Sequence, residues 1–319
     1  MSTNILERIT INHSNQWLLV RGDRNKPLIL QIQAGPGFPI ISEANTLQKL
    51  HHFEDNFLVA YWDQRGVGKS FDKNEKPGNI SIKRLTDDLI ECTRYLLKKY
   101  KKDRVILIGY SIGATISLFA AQKDPSLFSK IFLVGVDIDV PEANKFAMDF
   151  LLTESKKCGK KKIVEQVESL QGKEINDSDL FQKRAKLMTY AGGVITNRNY
   201  NEVFFDSLKH MLLSKEYTFM DIFRMIKGMA FTQNALLPEM NKLDLFDAIK
   251  SVSVPVHFIQ GKLDAIAPRH ISKKYFEFLD CPSKSFTEFE SSAHLPHLEE
   301  PDKFSRLVRE KLGISSPVL

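Results

Sequence analysis

The stretch Gly109-Tyr110-Ser111-Ile112-Gly113 constrains this chain more than any other. It follows Asp103-Arg104-Val105-Ile106-Leu107-Ile108, an apolar, β-branched run that predicts a fully buried strand. It precedes Ala114-Thr115-Ile116-Ser117-Leu118-Phe119-Ala120-Ala121-Gln122, whose small and apolar residues suit a packed helix. A serine carried through so abrupt a strand-to-helix turn projects its hydroxyl away from the sheet. The flanking glycines are needed because a Cβ at either place would meet the neighbouring strand or helix. This is the pattern of a nucleophile elbow. Five residues also make an ordinary glycine-bearing turn, so the reading depends on partners elsewhere in the chain.

Two such partners follow. After the apolar run Pro255-Val256-His257-Phe258-Ile259-Gln260 comes Gly261-Lys262-Leu263-Asp264, an acid just past a strand end, where loops of a parallel sheet converge on a site. Beyond the strand-like Ser285-Phe286-Thr287-Glu288-Phe289, the loop Ser291-Ser292-Ala293-His294 supplies a histidine. Serine, acid and histidine in this chain order, with spacings of 153 and 30 residues, go with an elbow of this kind. A serine hydroxyl is a poor nucleophile near neutral pH and needs a base in hydrogen-bond reach. We assign His294 as that base and Asp264 as the group that fixes its tautomer. The backbone N–H of Ile112, at the start of the helix, is a candidate donor to an oxyanion formed on a substrate carbonyl.

On these residues the chain resembles an α/β-hydrolase, and within that superfamily the proline iminopeptidase-like branch. Gln33-Ala34-Gly35-Pro36-Gly37-Phe38-Pro39 lies where that branch has a histidine-glycine-glycine-proline-glycine loop. Asp63-Gln64-Arg65-Gly66-Val67-Gly68-Lys69-Ser70 resembles its aspartate-glutamine-arginine-glycine loop, and Ala293-His294 with Glu299-Glu300-Pro301 resembles its terminal histidine segment. The resemblance implies an α/β-hydrolase fold: a mostly parallel, doubly wound sheet with an inserted helical cap. It also implies that the N–H of Gly35 is the second oxyanion donor. The chain departs from the branch at several places. Tyr110 and Ile112 flank the serine where glycine and tryptophan are usual. Gln33 and Ala34 replace the loop histidine and first glycine, and both tryptophans, Trp17 and Trp62, lie near the N-terminus rather than in the cap. The scaffold and hydrolytic groups carry over, and the prolyl specificity does not.

The alternation of strand and helix patterns agrees with a parallel, doubly wound sheet. The residues from Ser81 to Lys99 place Ile82, Leu85, Leu89, Cys92, Tyr95 and Leu96 on one helical face. Alternation stops near Pro141 and resumes near Ser253. We therefore divide the chain into a core of residues 1–139 and 246–319 and an inserted helical cap of residues 140–245, with clear helical spacing from Val203 through Met229. Seven of the eight methionines fall in this insertion. Most of them read as its own core, and the remainder as lining of a deformable apolar pocket. Its carboxylates Asp149, Glu202, Asp206, Glu216 and Asp221 leave recognition of a substrate amine open.

Several residues admit rival readings. His297 lies three residues beyond His294 and competes with it as base. Asp137 and Asp139 follow another strand and compete with Asp264 as acid. Asp63 and Arg65 read as an internal ion pair bracing their loop. The histidines lack cysteines or acids at ligand spacing, which argues against a metal site. Gly68-Lys69-Ser70 lacks the glycine five positions earlier and the following helix that a phosphate-binding loop requires. No cofactor is expected.

Three scattered cysteines, Cys92, Cys158 and Cys281, read as free thiols in a reducing compartment, most simply the cytoplasm. The first residues lack the basic-then-apolar pattern of a secretory signal, and no apolar run approaches the roughly 20 residues that span a bilayer. The net charge of +6 is dispersed, apart from a lysine cluster at 156–162 that reads as a solvated helix face, so neither a nucleic acid nor a membrane partner is expected. The expected activity is cleavage of a small ester, amide or short peptide through an acyl-enzyme, with an aminopeptidase similar to proline iminopeptidase as the nearest specific form. An acyltransferase using the same groups and a non-catalytic ligand receptor on the same fold are the alternatives.

Overall fold

Two ten-residue strands, β1 (Ser2–Ile11) and β2 (Ser14–Asp23), begin the chain as an antiparallel hairpin, far longer than the short apolar runs within them suggest. Their outer halves are polar and are held by ladder bonds, which hydropathy does not report. The computed structural model describes residues 2–314. After the hairpin come β3 (Leu28–Ile32), β4 (Leu58–Asp63), β5 (Val105–Tyr110), β6 (Phe128–Val134), β7 (Val256–Gly261) and β8 (Lys284–Phe289). The eight strands form one sheet in the order β1-β2-β4-β3-β5-β6-β7-β8. From β4 to β8 every pairing is parallel; β2 runs antiparallel to both neighbours.

Parallel strands buried on both faces read as continuous apolar runs, and β3, β4, β5 and β7 are buried at every position. Alternate side chains feed two cores. Leu28, Leu30, Val105 and Leu107 pack with helices α2 (Ile82–Tyr100) and α3 (Ile112–Lys123) on one face. Ile29, Ile106 and Ile108 pack on the other with α1 (Ala44–His51) and the C-terminal helix, Pro301–Lys311. Full burial of each such side chain contributes roughly 1.5–3 kcal/mol.

Between β6 and β7 the chain runs through α4 (Val140–Cys158), α5 (Lys161–Glu168), α6 (Ser178–Tyr190), α7 (Tyr200–Leu213) and α8 (Phe219–Met240). The two ends of this insertion meet: Asp139 and Asp244 form an antiparallel bridge, and Val140 N–H donates to Leu243 O at 3.0 Å. Ala147, Leu151, Val167, Leu170, Leu187 and Met188 make a separate small core with Ala265, from the loop that follows β7. The helical spacing from Val203 to Met229 is two helices, interrupted over 214–218. There Thr218 and Asp221 form a capping box that starts α8. Among the methionines, Met188, Met211, Met225 and Met240 are buried. Phe219, Met220 and Phe223 instead face outward on α8, with Met220 61% exposed. The apolar signature of the insertion is therefore divided between its core and its surface.

One expectation is corrected. Arg65 does not pair with Asp63. Its guanidinium turns to Asp88 on α2 (Nε to Oδ2, 2.8 Å) and to Glu75 (3.1 Å). Asp63, fully buried, accepts N–H bonds from Ile40, Ile41 and Lys69 and a bond from the Tyr217 hydroxyl. A carboxylate at the end of a buried strand is met by the backbone of the loops that turn there, whereas Asp88 is an acid on the core-facing side of a helix and requires a cation. After β7 comes the helix Arg269–Phe278, packed against β7 and β8, and after β8 the single turn Pro296–Glu299.

Candidate active site

Ser111 lies between β5 and α3 with φ 52° and ψ −123°, a backbone conformation that an L-residue adopts only when its surroundings enforce it. The enforcement comes from the glycines. A Cβ at Gly113 would lie 2.3 Å from the carbonyl oxygen of Gln33, and one at Gly109 would lie 2.6 Å from the Cα of Ala114. Helix α3 can therefore start directly against β3 and β5, and the serine is pushed up at the sheet's carboxyl edge. Ile112 is the first residue of α3, where backbone N–H groups have no acceptor within the helix. Gly35 is beside it: a Cβ there would lie 3.4 Å from Ile112 Cγ2. The Gly35–Pro36 peptide is cis. The carbonyl of Pro36 accepts a bond from Gln233 of α8 at 3.2 Å, so the insertion holds this loop from above.

The acid and the histidine meet. Asp264 Oδ2 lies 2.9 Å from His294 Nδ1, and both residues are buried. The carboxylate is held on every side: Oδ1 accepts the N–H groups of Ile266 and Ala267 at 2.8 Å each, and Oδ2 also accepts from Gln260 at 3.1 Å. Burial alone would lower the pKa of His294. The adjacent Asp264, with Asp137 and Glu299, outweighs it and holds the imidazole above its ordinary 6.5. A strap of the insertion clamps both loops, since Gly193 O accepts from Ala265 N–H at 3.1 Å and Val194 O from His294 N–H at 3.0 Å.

The serine hydroxyl itself turns elsewhere. Ser111 Oγ donates to Asp137 Oδ2 at 3.1 Å, and among the described residues no hydrogen bond joins Oγ to the His294 ring. Asp137 is buried three residues past β6, and burial pushes its carboxyl up to about 6 against the opposing pull of His294 and Ser111. The half-buried Arg184 of α6, bonded to Asn144, adds a positive charge within reach of Asp137.

The rivals are placed as follows. His297 is buried against Tyr110, with ring centroids 4.3 Å apart, and against Phe304. Burial holds its pKa well below 6.5, which suits a neutral packing residue. Asp139 caps α4 by accepting from Glu142 N–H. Among the described residues no group of His, Cys, Asp and Glu is arranged to hold a metal ion, and no helix is long and apolar enough to cross a membrane. Arg184 and the 193–194 strap had no sequence signal, because neither belongs to a motif or a periodic face.

A family model described as the alpha/beta hydrolase fold matches residues 37–301. The chain belongs to the α/β-hydrolase fold family. Among its relatives is the "Probable aminopeptidase YbaC" of Bacillus subtilis (strain 168), 30% identical over 95% of each chain. The proline iminopeptidase of Heyndrickxia coagulans is 23% identical over 89% of this chain and 90% of its own. Among solved structures, a proline iminopeptidase-related protein from Thermus thermophilus superposes with a TM-score of 0.67 at 16% identity, covering 99% of this chain and all of its own. The proline iminopeptidase of Mycobacterium smegmatis gives 0.69 at 16% identity, over 97% and 98% of the two chains.

Proposed function

We propose that the protein is a serine hydrolase that cleaves a small amide or ester through an acyl-enzyme on Ser111, acting as an aminopeptidase. The observation that carries this reading is the Asp264–His294 pair at 2.9 Å, buried at the same sheet edge as the strained Ser111. In this reading the Ser111 hydroxyl swings from Asp137 to the free nitrogen of His294 as substrate enters, a tightening common when a site fills. Oγ attacks the carbonyl carbon while His294 takes its proton. The negative charge that develops on the carbonyl oxygen is met by the N–H groups of Ile112 and Gly35. Each such donor typically contributes about 3–4 kcal/mol in the transition state. Collapse expels the amine or alcohol, which receives the proton from His294. Water, deprotonated by the same imidazole, then cleaves the acyl-enzyme and regenerates Ser111. Asp264 remains ionised throughout and stabilises the imidazolium.

The relative named an aminopeptidase, which aligns along nearly the whole of this chain, favours an amide of an amino acid over a lipid ester. A stopped-flow reaction with p-nitrophenyl acetate tests the acyl-enzyme. The expected result is a burst of about one nitrophenolate per chain, absent from Ser111→Ala. A burst of the same size in that variant contradicts the reading, as does steady release with no burst combined with failure to recover an acetylated Ser111 peptide after acid quench.

A further inference from the structure

An amide substrate with a free α-amine brings a cation to within two bonds of the scissile carbonyl, and something buried must receive it. The five carboxylates of the insertion singled out in the sequence are engaged elsewhere or face solvent. Asp221 pairs with Lys69 at 2.7 Å and with Arg224, Glu216 pairs with Arg21, Asp206 pairs with Arg198, and Glu202 closes the capping box of α7. Asp149 faces solvent. In the core, Asp264 is saturated by two backbone N–H groups, Gln260 and His294.

Asp137 differs from all of these. It is 8% exposed, and the hydrogen bond to its side chain comes from the nucleophile's own hydroxyl. Its main chain is fixed by Thr115, whose hydroxyl donates to Asp137 O at 2.7 Å. We infer that Asp137 is the receptor for the α-ammonium group of the substrate, so that the preferred acyl group is an aminoacyl residue with a free N-terminus.

Geometry and charge both favour this, and the inference rests on Ser111 being the nucleophile as proposed above. When a carbonyl carbon sits in attack range of Oγ, about 3–3.5 Å, rotation about the bond to the adjacent carbon can turn its nitrogen toward a group in hydrogen-bond contact with Oγ. Asp137 Oδ2, at 3.1 Å from Oγ, is such a group. The ionisable groups around it are Asp264, His294 and Arg184. With both carboxylates ionised and the imidazole neutral, they leave one net negative charge for a single cation to balance. Glu299, which also acts on His294, is turned to the backbone N–H groups of Thr196 and Ala293.

An acyl group without the amine would instead set a methylene against a buried carboxylate, which costs free energy because the charge is left unpaired. The ammonium also replaces the serine proton as the partner of Asp137. That exchange frees Oγ to turn to His294, so the amine that is recognised also releases the nucleophile.

Two boronic acids that differ only in the amine separate this inference from the reading beneath it. 1-Aminoethylboronic acid and ethylboronic acid are each titrated as competitors of fluorophosphonate labelling of the enzyme. In the wild type the amino compound is expected to compete at a concentration at least 30-fold lower. In Asp137→Asn the ratio is expected to fall to about one. Equal potency in the wild type overturns the inference, and so does a preference that survives in Asp137→Asn. Should that variant fold poorly, Asp137→Ser takes its place, with a ratio of about one again expected and a surviving preference again overturning the inference. Absence of any labelling in the wild type would instead remove the serine hydrolase reading itself, and the inference with it.

Discussion

Asp264→Asn is expected to reduce kcat about 10^3–10^4-fold while leaving the protein folded. The asparagine oxygen can still accept the N–H groups of Ile266 and Ala267, which shape the loop after β7. What changes is the atom facing His294. An amide N–H₂ there donates to Nδ1, forcing the proton onto the other ring nitrogen, and the imidazole can no longer accept the serine proton. The pH profile moves as well. His294 acts as a base only when neutral, so kcat/KM falls as pH drops through its pKa. In the wild type that limb lies above 6.5, because Asp264 and its neighbours outweigh burial. Without the carboxylate, the largest group opposing burial is gone, and the residual activity is expected to show its acid limb at lower pH. An unchanged kcat, or a limb that stays in place, contradicts the role given to Asp264.

Gly113→Ala is expected to damage fold and site together. The new methyl would lie 2.3 Å from Gln33 O and 2.7 Å from Ile32 O, both backbone atoms at the end of β3. Neither can turn aside as a flexible side chain would, so β3 or α3 must shift. Overpacking of this kind costs about 1–3 kcal/mol. The displaced segment leads into the Gly35 loop, and an ångström of misplacement there is expected to lower kcat/KM about 100-fold. Urea unfolding and ester turnover measure the two losses. Gly78→Ala is the control, since nothing lies within 4 Å of the added carbon, and its effect is expected to stay within about 0.5 kcal/mol. Similar behaviour of the two variants would contradict the packing argument.

Local chemistry made the elbow and the parallel strands legible. A buried strand reads as apolar, and a glycine-flanked serine after it admits few backbone paths, so β5, α3 and Ser111 follow from the residues themselves. The meeting of Asp264 and His294 could be anticipated from chain order, because a parallel sheet delivers successive strand ends to one edge. What depended on distant partners was less accessible. Arg65 has an acid two residues away in Asp63, yet it reaches across to Asp88 on α2. Nothing in the sequence distance reveals that preference. Asp137 could be recognised as an acid after a strand, but not as the partner of Ser111, since that depends on where β6 ends relative to β5. The hairpin length and the division of α7 from α8 were set by ladder bonds and a cap, to which apolar periodicity is nearly blind.

The most direct test of the nucleophile is covalent labelling with a fluorophosphonate, followed by mass mapping of the modified peptide. The account predicts one adduct per chain, on the peptide containing Ser111, forming faster as pH rises through the titration of His294, and none on Ser111→Ala. Failure of the wild-type protein to label, or an adduct that persists in Ser111→Ala, would contradict it.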